Sequence, residues 1–276
     1  MMSTFQEMLK ETPEMRLEKE KKKKAIRGWV MYDWANSAFV TTVVAAVLPV
    51  YYSSVAASTM PANEATARWA FTTTIALVIV ALMSPVLGAM ADFSGAKKRY
   101  FTYFVALGAT GTALLILVGT GDWLLASLCY IVGSIGASGS FVFYDSLLPH
   151  IASSDEIDQV SSRGYAMGYF GGGIMLAINL AMIMFAPENL TEWMSRISFF
   201  MVAIWWVVFT FPLWRHVPEP PRRIQKGEEN LNPIQASFKR LYLTFKDINR
   251  YKELMKFIVA FWLYNNGIGT IIYMAT

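Results

Sequence analysis

Seven stretches of the chain, residues 28–52, 69–91, 100–120, 123–147, 164–185, 196–214 and 254–276, are almost continuously apolar. Each is close to the roughly 20 residues that a helix rising about 1.5 Å per residue needs to cross about 30 Å of hydrocarbon. Lipid satisfies no backbone N–H or C=O, so a chain crosses it only as helices or as a closed barrel. The alternating segments of about ten residues that mark a barrel are absent. The expected fold class is therefore all-α, a polytopic membrane helical bundle. Composition agrees: 55% of the 276 residues are hydrophobic, 16% are charged, and there is one Cys. That excludes an ordinary soluble enzyme, a disordered chain and a disulfide-stapled secreted module.

Basic residues near span ends set orientation. The tail 1–27 holds 8 Lys and Arg, the loop between the second and third spans 3, the loop between the fourth and fifth only Arg163, and the segment 215–252 holds 9. The opposite loops hold Arg68 and Arg196 alone. This predicts a cytoplasmic N-terminus. The first span is too long for a signal h-region, contains Asp33 and is followed by no short small-residue cleavage site, so it is read as a retained helix. The run Lys21–Lys24 reads either as orientation alone or as a contact with anionic membrane lipid. Four parts follow: a basic cytoplasmic tail (1–27), a six-helix membrane half (28–214), a cytoplasmic linker (215–253) and a seventh membrane helix (254–276). Within the linker, Asn232-Pro233 starts a helix. Its Ile234, Phe238, Leu241, Phe245 and Ile248 recur at helical spacing, the pattern of an amphipathic helix lying on the inner leaflet.

The sequence Gly88-Ala-Met-Ala-Asp92-Phe-Ser-Gly95-Ala-Lys97-Lys98-Arg99 joins the second and third spans. It packs a carboxylate, a turn glycine and three cations into a short hairpin. This pattern resembles the loop signature of the major facilitator superfamily. Residues 29–39, 161–173 and Tyr264-Asn265-Asn266-Gly267 look further like the branch related to the vacuolar amino-acid effluxers of autophagy, many of whose prokaryotic members have no assigned substrate. The resemblance covers essentially everything after residue 27. It implies two six-helix halves around a midplane site that rock to give alternating access, with this chain supplying the N-terminal half and the first helix of the other. It also implies a small polar organic solute such as an amino acid, and a latch formed by Gly88, Asp92, Gly95, Lys97, Lys98 and Arg99 on the cytoplasmic face, with plain inside-positive charge and a turn glycine as the competing reading of that loop; protons enter as a candidate partner through Asp33, and the coupling ion stays open. An Asp often stands where this chain has Asn266, so a protonatable group in the seventh span is expected to be missing. The implied location is a prokaryotic cytoplasmic membrane, with a vacuolar membrane as the alternative.

Asp33 stands out among single residues, since an ionised carboxylate within a span faces a cavity or a partner. Asn36, Ser37 and Thr41 follow at offsets of three, four and eight, which makes one polar face for substrate or protons. The competing reading is a rim ion pair of Asp33 with Arg163 or Lys256. Asp145, near the end of the fourth span, is expected to pair with Arg163 at the inner rim, where such a pair would open with the gate; Arg163 meeting an anionic substrate group remains open. Gly164, Gly168, Gly171, Gly172 and Gly173 on the fifth span, and Gly133, Gly136 and Gly139 on the fourth, read as close-packing faces. Asn179 reads as an interhelical hydrogen-bonding residue, and Pro49 and Pro85 as sources of bends.

The pair Tyr32-Asp33 and Gly119-Thr-Gly-Asp122 mimics an intramembrane aspartyl protease, but two carboxylates that share a proton must meet at one depth. These fall at opposite faces, so the chain is not expected to be an enzyme. His150 and His216 lack companion ligands and Cys129 sits in an apolar helix, so no metal, cofactor or nucleic-acid partner is expected. The alternative to a transporter is a half-transporter or truncated subunit that works only when paired with a missing C-terminal half or a second chain.

Overall fold

A computed structural model of the chain describes residues 12–93, 95–222, 231, 233–247 and 252–274, apart from the side chains of 233, 234, 244, 245, 247, 254, 266 and 270–274. Helix α1, Pro13–Ala56, begins inside the basic tail. Thr12 caps it by accepting the Met15 N–H on its side chain at 3.3 Å, with Pro13 in the first turn. The tail thus continues into the first span without a break. The helix widens to π geometry over Phe39–Ala46, where the Val47 N–H reaches five residues back to the Thr42 carbonyl. Pro49 follows at once; its ring excludes the carbonyl four residues earlier and it has no N–H to give, a combination that a wider turn relieves. A second π turn, Tyr52–Ala56, closes the helix.

Five more long helices follow: α2 (Ala62–Phe93), α3 (Lys97–Leu117), α4 (Trp123–Ile151), α5 (Ile157–Met184) and α6 (Glu188–His216). These six are the helices among the described residues long and apolar enough to cross a membrane. The linker helix is α7, Pro233–Asp247, and α8, Lys252–Met274, occupies the seventh expected stretch.

The packing has an internal symmetry that the amino-acid sequence hides. Helix α1 packs on α5 and α6, α4 packs on α2 and α3, and α3 meets α6. Exchanging α1–α3 for α4–α6 maps this set onto itself. Successive spans run in opposite directions, so this correspondence is the one expected of inverted three-helix repeats in facilitator folds, although α5 also packs on α6 with no comparable contact between α2 and α3.

Small residues permit the close pairs. A Cβ on Gly168 of α5 would lie 2.6 Å from Ser37 Oγ of α1, and one on Gly171 would lie 2.5 Å from the Trp34 carbonyl oxygen. Gly108 of α3 and Gly136 of α4 face each other in the equivalent way. Gly173, read with the same stripe, has open space beside it and does not take part. Asn179 bridges α5 to α1, donating to Thr42 Oγ1 at 3.3 Å.

Helix α7 packs on the end of α2 through its small face, where Ala236 and Ser237 are buried. Arg222 and Arg240 both lie over the Phe93 ring, at 4.3 and 5.5 Å from its centroid. Phe238 and Tyr242 stay exposed. Ile248 lies outside the described residues. Helix α8 touches the six-helix body at the π stretch of α1, and its Phe257, Phe261, Trp262 and Tyr264 are exposed.

Candidate functional site

Helix α1 presents Trp29, Asp33, Ser37 and Thr41 along one stripe, because offsets of four advance only about 40° around a helix. They line a cleft of about 700 Å³ with Phe141, Tyr144 and Asp145 of α4 and Ser161, Tyr165 and Tyr169 of α5. Gly164 and Gly168 bring the α5 backbone against Asp33 and Ser37. Asp33 is only 7% exposed, and Tyr144 Oη donates to its Oδ2 at 3.3 Å. The Tyr144 ring stacks on Trp29 at 4.3 Å between centroids, and Trp29 Nε1 donates to the Tyr144 carbonyl at 3.0 Å. The hydroxyl is therefore held toward Asp33 by packing on its own ring.

Asn36 belongs elsewhere. An offset of three sets it about 60° to one flank of the Asp33 stripe, where it is fully buried against α4. Its Nδ2 donates to Tyr32 Oη at 3.0 Å, Tyr32 Oη donates to Ser140 Oγ at 2.6 Å, and Ser140 Oγ donates to the Ala137 carbonyl at 2.7 Å. The Asn36 Oδ1 has no hydrogen-bond partner. Thr41 lines the cleft but gives its hydroxyl to the Gly172 carbonyl at 3.0 Å, tying α1 to α5.

Asp145 faces the cleft beside Asp33, and the ion pair expected between Asp145 and Arg163 is not formed. Arg163 precedes Gly164, the residue packed on α1, and its side chain is exposed outside the cleft. The rival pairing of Asp33 with Arg163 or Lys256 is absent too; Lys256 pairs with Glu253 at 2.8 Å. Asn266 lies outside the residues whose side chains are described. Asp122, the other half of the protease-like pair, is spent on its own loop, where Oδ2 accepts the Gly119 N–H at 2.9 Å. Among the described residues no three His, Cys, Asp or Glu converge as a metal site needs.

The hairpin between α2 and α3 divides its charges. Lys97 is buried, and its Nζ reaches α4 at the Ser146 carbonyl (3.1 Å) and His150 Nε2 (3.2 Å). Lys98 Nζ caps the end of α6 by donating to the Trp214 and Val217 carbonyls at 2.9 and 2.6 Å, while its backbone N–H donates to the Glu219 carboxylate. That carboxylate sits at the start of α3, the favourable end of the helix dipole for an anion. Arg99 folds onto Tyr103, and Asp92 is exposed at the end of α2. A Cβ on Gly95 would lie 2.9 Å from Arg222 Cβ, so the turn lies against the chain leaving α6, while Gly88 has open space beside it. All three cations are thus engaged within the six-helix body, Lys97 and Lys98 on other helices and Arg99 on its own. Beside the hairpin, Lys22 of α1 pairs with Glu156 at the start of α5. That ammonium, with the Ser153 hydroxyl and amide, holds the Glu156 carboxyl down to about 2.

Trp29, Tyr144, Tyr165, Tyr169 and Ser161 are cleft residues that the sequence reading did not assign to the site. Trp29 was legible from its spacing to Asp33 and Ser37. The α4 and α5 residues were not, because aromatic residues in a span read equally well as packing.

A bundle of six long apolar helices, with a cleft between α1, α4 and α5, is the architecture of an integral membrane protein of the facilitator type. The sequence profile of the family described as vacuole effluxer Atg22 like matches residues 62–276, and the chain belongs to that family. It is 40% identical over 255 residues to the uncharacterized MFS-type transporter YxiO of Bacillus subtilis (strain 168), covering 90% of this chain and 58% of that protein. Autophagy-related protein 22 of Coccidioides immitis (strain RS) is 22% identical over 351 residues, again covering 90% of this chain and 58% of the relative. That of Pyricularia oryzae is 21% identical over 346 residues, covering 50% of the relative. The chain thus spans little more than half the length of these relatives. No solved structure matches it.

Proposed function

We propose that the chain forms the N-terminal half of a secondary or facilitative transporter that moves a small polar solute, with amino acids among the candidates, by alternating access, and that Asp33 is its proton or substrate site. The observation that carries this reading is the cleft between α1, α4 and α5, where a carboxylate 7% exposed meets open space and the cations expected to neutralise it lie elsewhere. A carboxylate left in a span costs about 2.5–3.5 kcal/mol even on insertion scales. The relatives are named transporters or autophagy proteins, which supports membrane transport in preference to an enzymatic role. The cytoplasmic membrane of a prokaryote, with the basic end of the bundle inside, is the location this reading carries.

The test is Asp33→Asn in the complete chain, reconstituted in vesicles. Solute flux is expected to fall at least about tenfold or to lose its pH dependence; unchanged flux with an unchanged pH profile rejects the role. A second reading, a half-transporter that pairs with another chain, draws on the bare apolar faces of α8. Cross-linking in detergent separates the two, since an obligate pair must appear as a dimer and a fragment of a single-chain transporter must not.

A further inference from the structure

A second cavity, of about 450 Å³, lies at the basic end of the bundle and shares no lining residue with the cleft around Asp33. Its lining comes from the six-helix body alone: Lys21 and Lys22 from α1, His150 and Ser153 from the end of α4 and the turn after it, and His216 from the end of α6. The lysines are exposed and both histidines are half-buried, so the cavity is open to solvent on its basic side.

Helices α4 and α6 both end here, and the carbonyls at a helix C-terminus by themselves repel an anion. Two lysines of the α2–α3 hairpin offset that. Lys97 Nζ donates to the Ser146 carbonyl near the end of α4 and meets His150 Nε2 at 3.2 Å, while Lys98 Nζ donates to the Trp214 and Val217 carbonyls on either side of His216. Two carboxylates stand beside the cavity, and each is held: Glu156 by Lys22 and by the Ser153 amide and hydroxyl, Glu219 by the Lys98 backbone N–H. A ligand therefore meets ammonium groups from α1 and imidazoles from α4 and α6. Basic walls of this kind focus a positive potential inside a cavity.

Donors converging from three elements suit a tetrahedral oxyanion better than a planar carboxylate, and a phosphate monoester brings nearly two negative charges with three acceptor oxygens. The volume lies in the range of small-molecule sites, and Ala25, Ile151 and Pro218 offer an apolar wall to an organic body. We infer that this cavity is a binding site for a phosphate monoester, with Lys21, His150 and His216 as its principal donors and Lys22 shared with Glu156. Occupied, it ties the basic tail to the ends of α4 and α6. A soluble ester and the headgroup of a monoester lipid such as phosphatidic acid present the same chemistry, and both reach this depth: Lys22 stands six residues before Gly28, where the first apolar stretch begins, about 9 Å along the helix.

The experiment titrates the complete chain in detergent by calorimetry, with three probes that share a sugar ring: glucose 6-phosphate, glucuronate and glucose. The phosphate is expected to bind at least about fivefold more tightly than glucuronate, and glucose to give no signal. Lys21→Gln and His216→Gln are each expected to weaken glucose 6-phosphate by about fivefold or more. Lys23→Gln, which removes the same charge from the tail but outside the lining, is expected to leave it unchanged. Lys21 is exposed, so its replacement leaves the fold intact and the comparison with Lys23 readable. Equal weakening by Lys21→Gln and Lys23→Gln would show diffuse attraction to the tail and overturns the inference. So does a failure of glucose 6-phosphate to bind, or glucuronate or glucose binding as tightly. Repeating the titration in phosphatidylcholine bilayer discs with and without phosphatidic acid identifies the source. Affinity for the sugar phosphate lost when phosphatidic acid is present assigns the site to the lipid headgroup, and affinity kept assigns it to the soluble ester.

Discussion

Gly168 and Gly171 show how single residues determine the shape of the cleft. Neither bends the chain; each removes a methyl group where α5 presses on α1. Gly168→Ala would place carbon 2.6 Å from Ser37 Oγ, and Gly171→Ala 2.5 Å from the Trp34 carbonyl oxygen, which as backbone cannot rotate away. Overpacking of this kind costs about 1–3 kcal/mol. Thermal unfolding in detergent should show both variants destabilised, Gly171→Ala the more, with Gly173→Ala unchanged because nothing lies within 4 Å of its Cβ position. The same scale shows what the residue pattern hid. Asp33, Ser37 and Thr41 could be placed on one stripe from spacing alone. Asn36 and Asp145 could not, since an offset of three leaves a side chain free to join either neighbour, and α4 took Asn36 into the Tyr32–Ser140 network.

Among the elements, α1 joins the tail to the bundle. It runs as one helix from Pro13, and Lys22 pairs with Glu156 where α5 begins. With its folded value near 2, below the ordinary 4.5, the Glu156 carboxyl contributes to stability that is complete above about pH 4.5 and is lost as pH falls through about 2. A spin-label distance from the tail at Lys19 to Asp158 should therefore hold from neutral pH down to about 3 and lengthen below it. Glu156→Gln should lengthen it at neutral pH; a distance that ignores both changes would show that the tail is held by its helix alone. The linker carries a comparable lesson. Its apolar periodicity foretold an amphipathic helix, but not that Ala236 and Ser237 would seat on α2 and leave Phe238 and Tyr242 bare. Period states which residues share a face, and a partner's shape decides which face is covered.

At the scale of the whole molecule, α1 and α4, the first helix of each triplet, share the cleft wall with α5. On the proposed transport reading, a site shared by three helices would close and open as the halves rock. Ser161→Cys and Tyr165→Cys in the complete chain should react with an impermeant thiol reagent, and transported solute should slow that reaction. The native Cys129 is 4% exposed and should contribute no background. Labelling at equal rates with and without solute would place these residues outside the path.

The amino-acid sequence by itself determined the helical class, the number of long apolar stretches, the basic ends and the Asp33 stripe. These follow from the length of hydrocarbon to be crossed and the period of a helix, both local rules. Only the tertiary structure decided that Asp145 joins Asp33 without Arg163, that Lys97 and Lys98 turn inward to α4 and α6, and that α1 packs on α5 and α6 while α4 packs on α2 and α3. Those outcomes depend on which helix faces which, and helix contacts in lipid are set by the fit of small residues and the pairing of buried polar groups across the fold, which no local period encodes.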